Sequence, residues 1–139
     1  MSVTNLRPNI DHWQERVDLA ATFRWTERLN MHEGVANHFS LAVNDDGTQP
    51  GAPDPTAWGL HGSIHRLCPH ARCVMHVHSI HATVLATLAD STLPPIDQNT
   101  ATFYNRYVID DHFGGLAFES EGARCASMLT DPKIKTMIM

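Results

Sequence analysis

Cysteine is scarce in this chain, with three residues in all, Cys68, Cys73 and Cys125, and no Cys-x-x-Cys spacing among them. The odd count and the missing spacing argue against a disulfide framework and against a thiolate zinc knuckle, so all three are expected to be small buried residues. Cationic side chains are few as well. Ten Lys and Arg stand against fifteen Asp and Glu, for a net charge of -5, and no basic patch is visible. A nucleic-acid or anionic-membrane surface wants clustered Lys and Arg, so no nucleic acid and no membrane are expected as partners. No apolar run approaches the roughly 20 residues that cross a bilayer, and the stretch from Met1 to Pro8 carries no apolar signal core, which makes the cytoplasm the expected address. Internal repeats and low-complexity tracts are also absent. What remains, 139 residues of which 42% are hydrophobic and 18% charged, is enough chain for one domain with a sizeable core.

Apolar periodicity divides the chain into alternating helices and strands. Asn9-Ile10-Asp11 offers a start signal, and Trp13, Val17, Ala20, Ala21 and Leu29 follow at helical spacing, predicting an amphipathic helix of about five turns that ends near Asn30. Met31 to Val43 passes from a polar turn into alternating apolar residues, as a strand does, and Asn44-Asp45-Asp46-Gly47 reads as a turn before a Pro/Gly-rich link. Trp58, Leu60, Ile64 and Leu67 recur at helical intervals and Pro69 closes them. Cys73 to His78 reads as a strand, and Ser79 as the cap of a helix that stops near Asp90. Thr102 to Ile109 has the aromatic and β-branched content of a strand, Glu119 to Leu129 reads as a helix, and Lys133 to Met139 as a last strand. The mixture predicts a layered α/β domain.

Histidine is the residue in excess. Six of the ten, His61, His65, His70, His76, His78 and His81, fall between positions 61 and 81. Within the strand Cys73-Val74-Met75-His76-Val77-His78, alternate side chains share a face, so His76 and His78 point the same way and can hold one metal ion. The ordinary alternative is one buried, hydrogen-bonded histidine and one surface residue. His61 and His65, at i and i+4 on a helix, have a spacing that also suits a metal. His65 is expected at the surface, and His38, alternating with Asn37, on the opposite side of its strand. Trp58, Phe39 and Met75 are expected in the core.

These residues carry a resemblance. His32-Glu33-Gly34-Val35-Ala36-Asn37-His38-Phe39-Ser40, the segment from Leu60-His61-Gly62-Ser63-Ile64-His65 to His76-Val77-His78-Ser79-Ile80-His81-Ala82-Thr83, and Asp97-Gln98-Asn99, together with the N-terminal helix, resemble the class II aldolase/adducin family. The resemblance implies a three-layer α/β/α domain with a mostly antiparallel central sheet, a divalent metal, zinc first with manganese or iron as alternatives, and a homo-oligomer, usually a tetramer, acting on a small-molecule substrate. It implies that His76 and His78 bind the metal, that His61 supports them from behind, and that Asn37 and Thr56 lie on the substrate side; His81, three residues after the pair on the next helix turn, is placed either to orient a ligand or to cap the helix. The family's catalytic glutamate has Ala57 in its region, so Glu33 is the remaining carboxylate candidate for proton transfer. Relatives carry an inserted segment near positions 47–55 and a third metal histidine beyond the last strand, so the 139 residues are expected to be an incomplete version of the domain. His112 is the fallback third ligand.

Three functions follow from the resemblance. The first is a metal-dependent aldehyde-lyase that cleaves a small sugar phosphate or hydroxy acid by retro-aldol chemistry, a part of carbohydrate metabolism. The second is an iron-dependent oxygenase or decarboxylase offshoot, and the third a non-catalytic, adducin-like oligomerising scaffold.

Overall fold

A computed structural model describes residues 10–32, 34, 37–43, 54–115 and 119–139. In chain order the elements are α1 (Trp13–Arg28), β1 (His38–Leu41), α2 (Pro55–Leu67), β2 (Cys73–His76), α3 (Ile80–Ala86), α4 (Gln98–Ala101), β3 (Tyr107–Ile109), α5 (Glu119–Met128) and β4 (Thr136–Ile138). The α/β class expected from periodicity therefore holds. The turn expected at Asn44 to Gly47, and most of the Pro/Gly link after it, lie outside the described residues.

β1 and β2 pair antiparallel, with His38 opposite His76, Phe39 opposite Met75 and Ser40 opposite Val74. Strand alternation sends His38, Ser40, Val74 and His76 toward one side and Phe39 and Met75 toward the other. On the first side lies α2, whose His61 and His65 reach Ser40. On the second lies α1, where Phe23 stacks on Phe39 with ring centroids 4.2 Å apart. Helix, sheet and helix thus form three layers around these two strands. The sheet expected as mostly antiparallel takes the form of two two-stranded pieces among the described residues, β1-β2 antiparallel and β3-β4 parallel. A parallel pair needs a long crossover, and α5 supplies it between β3 and β4.

Helix α2 starts where the sequence puts three favourable groups together. Asp54 accepts from the Thr56 backbone N–H at 2.9 Å and from the Thr56 hydroxyl, and Pro55 fills a first-turn position that has no backbone partner to lose. Behind it α5 packs along α2, more extensively than any other pair of elements meets among the described residues. Small residues allow this. Gly59 and Ser63 on α2 face Gly122 and Ala126 on α5, each pair one turn apart, and Ile64, Cys68 and Ala126 form the buried cluster beside them. Leu60, Ala71, Val74 and Leu129 close over that cluster.

Several expectations change on contact with tertiary structure. The strand expected from Thr102 is confined to Tyr107–Ile109, because Asp97 and Thr100 form a reciprocal capping box that starts α4 and carries the chain through turns to Asn105, at φ +55°. Cys68 and Cys125 are fully buried, but Cys73 is exposed on β2. Met75, expected in the core, is 44% exposed, on the same face of the strand pair as Phe39. α1 buries Thr26, whereas Val17, Trp25 and Leu29 remain exposed on the single chain. Among the described residues no helix is long and apolar enough to cross a membrane.

Candidate functional site

Four histidines converge at the end of β1-β2. His76 closes β2 and His78 lies two residues on, outside the regular strand, yet their Nε2 atoms are 3.0 Å apart. The backbone N–H of His78 donates to the Asn37 carboxamide oxygen at 3.0 Å, which fixes the turn between β2 and α3. His38 stacks on His76 with planes 6° apart and centroids 4.6 Å apart. His38 Nδ1 and His61 Nε2 are in turn 2.8 Å apart.

His38 therefore lies on the same side as His76, not away from the site as expected. Asn37 precedes the strand, so the two-residue alternation does not extend back to it, and both Asn37 and His38 reach the site. His65 is likewise no surface residue. Its Nε2 lies 2.7 Å from the Ser40 hydroxyl and its Nδ1 2.7 Å from the Ala71 carbonyl oxygen. His61, 2% exposed, places its Nδ1 2.6 Å from the same hydroxyl. His38, Ser40 and His65 are the site residues that sequence reasoning missed. The signal for them was the antiparallel register, which puts His38 opposite His76 and Ser40 two residues along the same face.

The other candidates fall elsewhere. Thr56 is exposed at the start of α2 and bonded to Asp54, and Asp54 is near enough to His38 to favour its charged form slightly. His81 is exposed on the first turn of α3. Glu33 lies outside the described residues. His112 is exposed on the loop after β3, where its carbonyl oxygen accepts from Arg124, far in the fold's connectivity from the histidine pair.

A donor set must fit its ion. Two imidazole nitrogens at about 2.0–2.1 Å from one zinc stand roughly 2.9–3.4 Å apart for angles between octahedral and tetrahedral, and the His76/His78 separation falls inside that span. Among the described residues no third His, Cys, Asp or Glu brings a ligand atom within 4.8 Å of both. A different set does cluster, Asp110, Glu121 and Cys125. There the Arg124 guanidinium already lies between the carboxylates, bonded to Asp110 at 2.6 and 2.7 Å and to Glu121 at 2.6 and 2.9 Å, so the cation is supplied by the chain itself. That set is a clasp between the end of β3 and α5.

Burial keeps the central imidazoles neutral. It lowers His61 to about 3, with His38, His65 and His76 adding repulsion, and His76 to about 4, with His38 and His78 adding to it. Neutral imidazole is the form that offers a lone pair to a metal. A stability consequence follows with a definite sign. The unfolded chain binds a proton at His61 near 6.5 while the folded chain refuses it until about 3, so stability is full above pH 6.5 and falls as the pH drops through that window. In chelator-treated protein His61 alone lowers the unfolding free energy by about 1.4 kcal/mol per pH unit below 6.5. Urea titrations at pH 7.5, 6 and 5 check this; a midpoint that stays constant across them contradicts it.

Fold and site together define a three-layer α/β domain carrying paired histidines suited to a divalent ion. The Class II Aldolase and Adducin N-terminal domain family matches residues 42–139, and the chain belongs to that family. A solved aldolase II superfamily protein from Pseudomonas syringae superposes with a TM-score of 0.76 at 22% identity, covering 96% of this chain and 64% of that one. Among curated relatives, decarboxylase NovR of Streptomyces niveus is 31% identical over 78 residues, 55% of this chain and 28% of its own length. The 4-hydroxy-3-prenylphenylpyruvate oxygenase/4-hydroxy-3-prenylbenzoate synthase of Streptomyces roseochromogenus subsp. oscitans matches to the same extent. A methylthioribulose-1-phosphate dehydratase of Cronobacter sakazakii is 49% identical over 43 residues, 30% of this chain and 22% of that protein. The matched region is thus about a quarter of the length of these relatives. Decarboxylase and dehydratase are both lyase-type names.

Proposed function

We propose that this chain is a divalent-metal-dependent lyase of the class II aldolase type, acting on a small sugar phosphate or hydroxy acid, with His76 and His78 as metal ligands. The reading rests above all on the 3.0 Å separation of their Nε2 atoms. Zinc is the first candidate for the ion, and manganese or iron the alternatives. A divalent ion held by His76 and His78 would supply Lewis acidity for the negative charge that develops in retro-aldol cleavage. The chain's own residues hold the pair: Asn37 pins the His78 backbone, His38 packs flat on His76, and His61 backs His38. Asn37 and Thr56 are assigned to the substrate side, Glu33 to proton transfer and His81 to orientation of the pair. A homo-oligomer, expected as a tetramer, belongs to the same reading, and the exposed Val17, Trp25 and Leu29 of α1 are the kind of apolar surface it would cover.

Metal analysis after dialysis against zinc, manganese and iron(II) tests this. About one equivalent per chain is expected for the wild type, with stoichiometric binding lost in His76→Ala and retained in His112→Ala. Unchanged metal content in His76→Ala would overturn the assignment.

The names of the two Streptomyces relatives favour a second reading, an iron-dependent oxygenase or decarboxylase using the same histidines. Iron with oxygen uptake selects it, and zinc or manganese without oxygen uptake selects the lyase. Protein that takes up no stoichiometric metal leaves the oligomerising scaffold.

A further inference from the structure

We propose that a hydrogen-bond chain from the Ala71 carbonyl through His65, Ser40 and His61 fixes His38 with its proton on Nδ1, leaving Nε2 as a bare acceptor on the ring that stacks on His76. Each link follows from the one before. A carbonyl oxygen only accepts, so His65 carries its proton on Nδ1, 2.7 Å from Ala71. The Nε2 of that neutral ring is then an acceptor, and the Ser40 hydroxyl, 2.7 Å away, donates to it. Serine has a single hydroxyl proton. Having given it to His65, Ser40 faces His61 Nδ1 at 2.6 Å with a lone pair, so His61 also carries its proton on Nδ1. His61 Nε2 is then bare, and His38 Nδ1, 2.8 Å away, donates to it. One backbone carbonyl thereby dictates the tautomer of three imidazoles in succession.

Reversing any link sets two protons or two lone pairs against each other inside the domain, which costs about 1–3 kcal/mol per unsatisfied buried group. At pH 7.5, about one unit above the ordinary imidazole value near 6.5, the rings are neutral, and burial lowers the proton affinity of His65 and His61 further. Imidazole in water prefers its proton on Nε2, so three Nδ1–H tautomers in one chain is a distinctive expectation. His38 Nε2 has no hydrogen-bond partner among the described residues, and the ring is half-buried beside His76. A bare nitrogen in that position can accept a hydrogen bond from a hydroxyl of a polyol or hydroxy acid, a use that rests on the lyase reading above. The tautomer assignment does not depend on it. His65, Ser40 and His61 are positioning residues, acting through His38.

Ring-nitrogen spectra of histidine-labelled, chelator-treated protein at pH 7.5 test the chain directly. His38, His61 and His65 are expected to show a protonated Nδ1 and a pyridine-like Nε2. In Ser40→Ala the His61 Nδ1–H loses its acceptor, and His38 is expected to shift toward the Nε2–H form, whereas Ser40→Thr restores the wild-type pattern. A protonated Nε2 on His38 in the wild type overturns the proposal, as does a His38 pattern indifferent to Ser40→Ala. Should Ser40→Ala fail to fold, the wild-type spectrum alone decides. Failure of metal binding in the separate titration sinks the lyase reading and leaves these tautomers as they are.

Discussion

Arg124→Met is expected to destabilise the domain by about 3 kcal/mol, a large part of the 5–15 kcal/mol typical of a folded domain. The reason is the carboxylate it leaves behind. The Asp110 side chain is 1% exposed, and Arg124 satisfies both of its oxygens while also binding Glu121. Methionine fills similar space along the stem but offers no donor, so Asp110 must stay charged without its partner or take up a proton. Arg124 also holds the Asp110 carboxyl below its usual range, chiefly by hydrogen bonding, which identifies the charged form as the native one. The figure sits at the low end for a broken buried pair because the Arg124 side chain is itself 30% exposed. Urea unfolding followed by circular dichroism measures it, with Arg124→Lys expected to fall between the two because one ammonium cannot span both carboxylates. A loss below 1 kcal/mol for Arg124→Met would show that Asp110 is not held by this clasp.

Gly122→Ala carries a comparable expected loss, about 3 kcal/mol, with a sign opposite to that of helix propensity. In an exposed helix the change gains nearly 1 kcal/mol. Here a methyl group would stand 1.9 Å from the Gly59 carbonyl oxygen and 2.8 Å from the Ser63 hydroxyl. The nearer obstacle is backbone, so no rotamer change relieves it and α5 must move off α2. That movement opens the Ile64, Cys68 and Ala126 cluster and strains the Arg124 clasp on the same helix, placing the substitution at the upper end of overpacking costs. Ser127→Ala, exposed on α5, is the control and should lie within about 0.5 kcal/mol of the wild type. A Gly122→Ala protein as stable as that control would mean that the two helices do not approach as closely as their small residues allow.

The histidine pair and the arrangement around it were legible to different degrees. His76 and His78 stand out because two imidazoles separated by one residue in a β-branched run are a local pattern, and local patterns survive in sequence. His38 was assigned to the wrong side because the side of a residue depends on where its strand begins, and β1 begins at His38 itself. His65 was placed at the surface because nothing near it in the chain reveals that Ser40, 25 residues earlier, will lie against α2. The Thr102 to Tyr104 stretch shows the opposite failure: its composition favours a strand, and a capping box five residues upstream overrides it.

Helices through Trp13, Trp58 and Glu119, strands at Phe39, Val74 and Val108, and the likeness to the class II aldolases were all written in periodicity, caps and motif, which act over a few residues. The parallel pairing of β3 with β4, the Gly59/Gly122 approach, the Asp110–Arg124–Glu121 clasp and the run from Ala71 to His38 belong to the tertiary structure alone. Each joins groups distant in the chain, and their separation is set by the register and packing of whole elements. No short window of sequence contains that register.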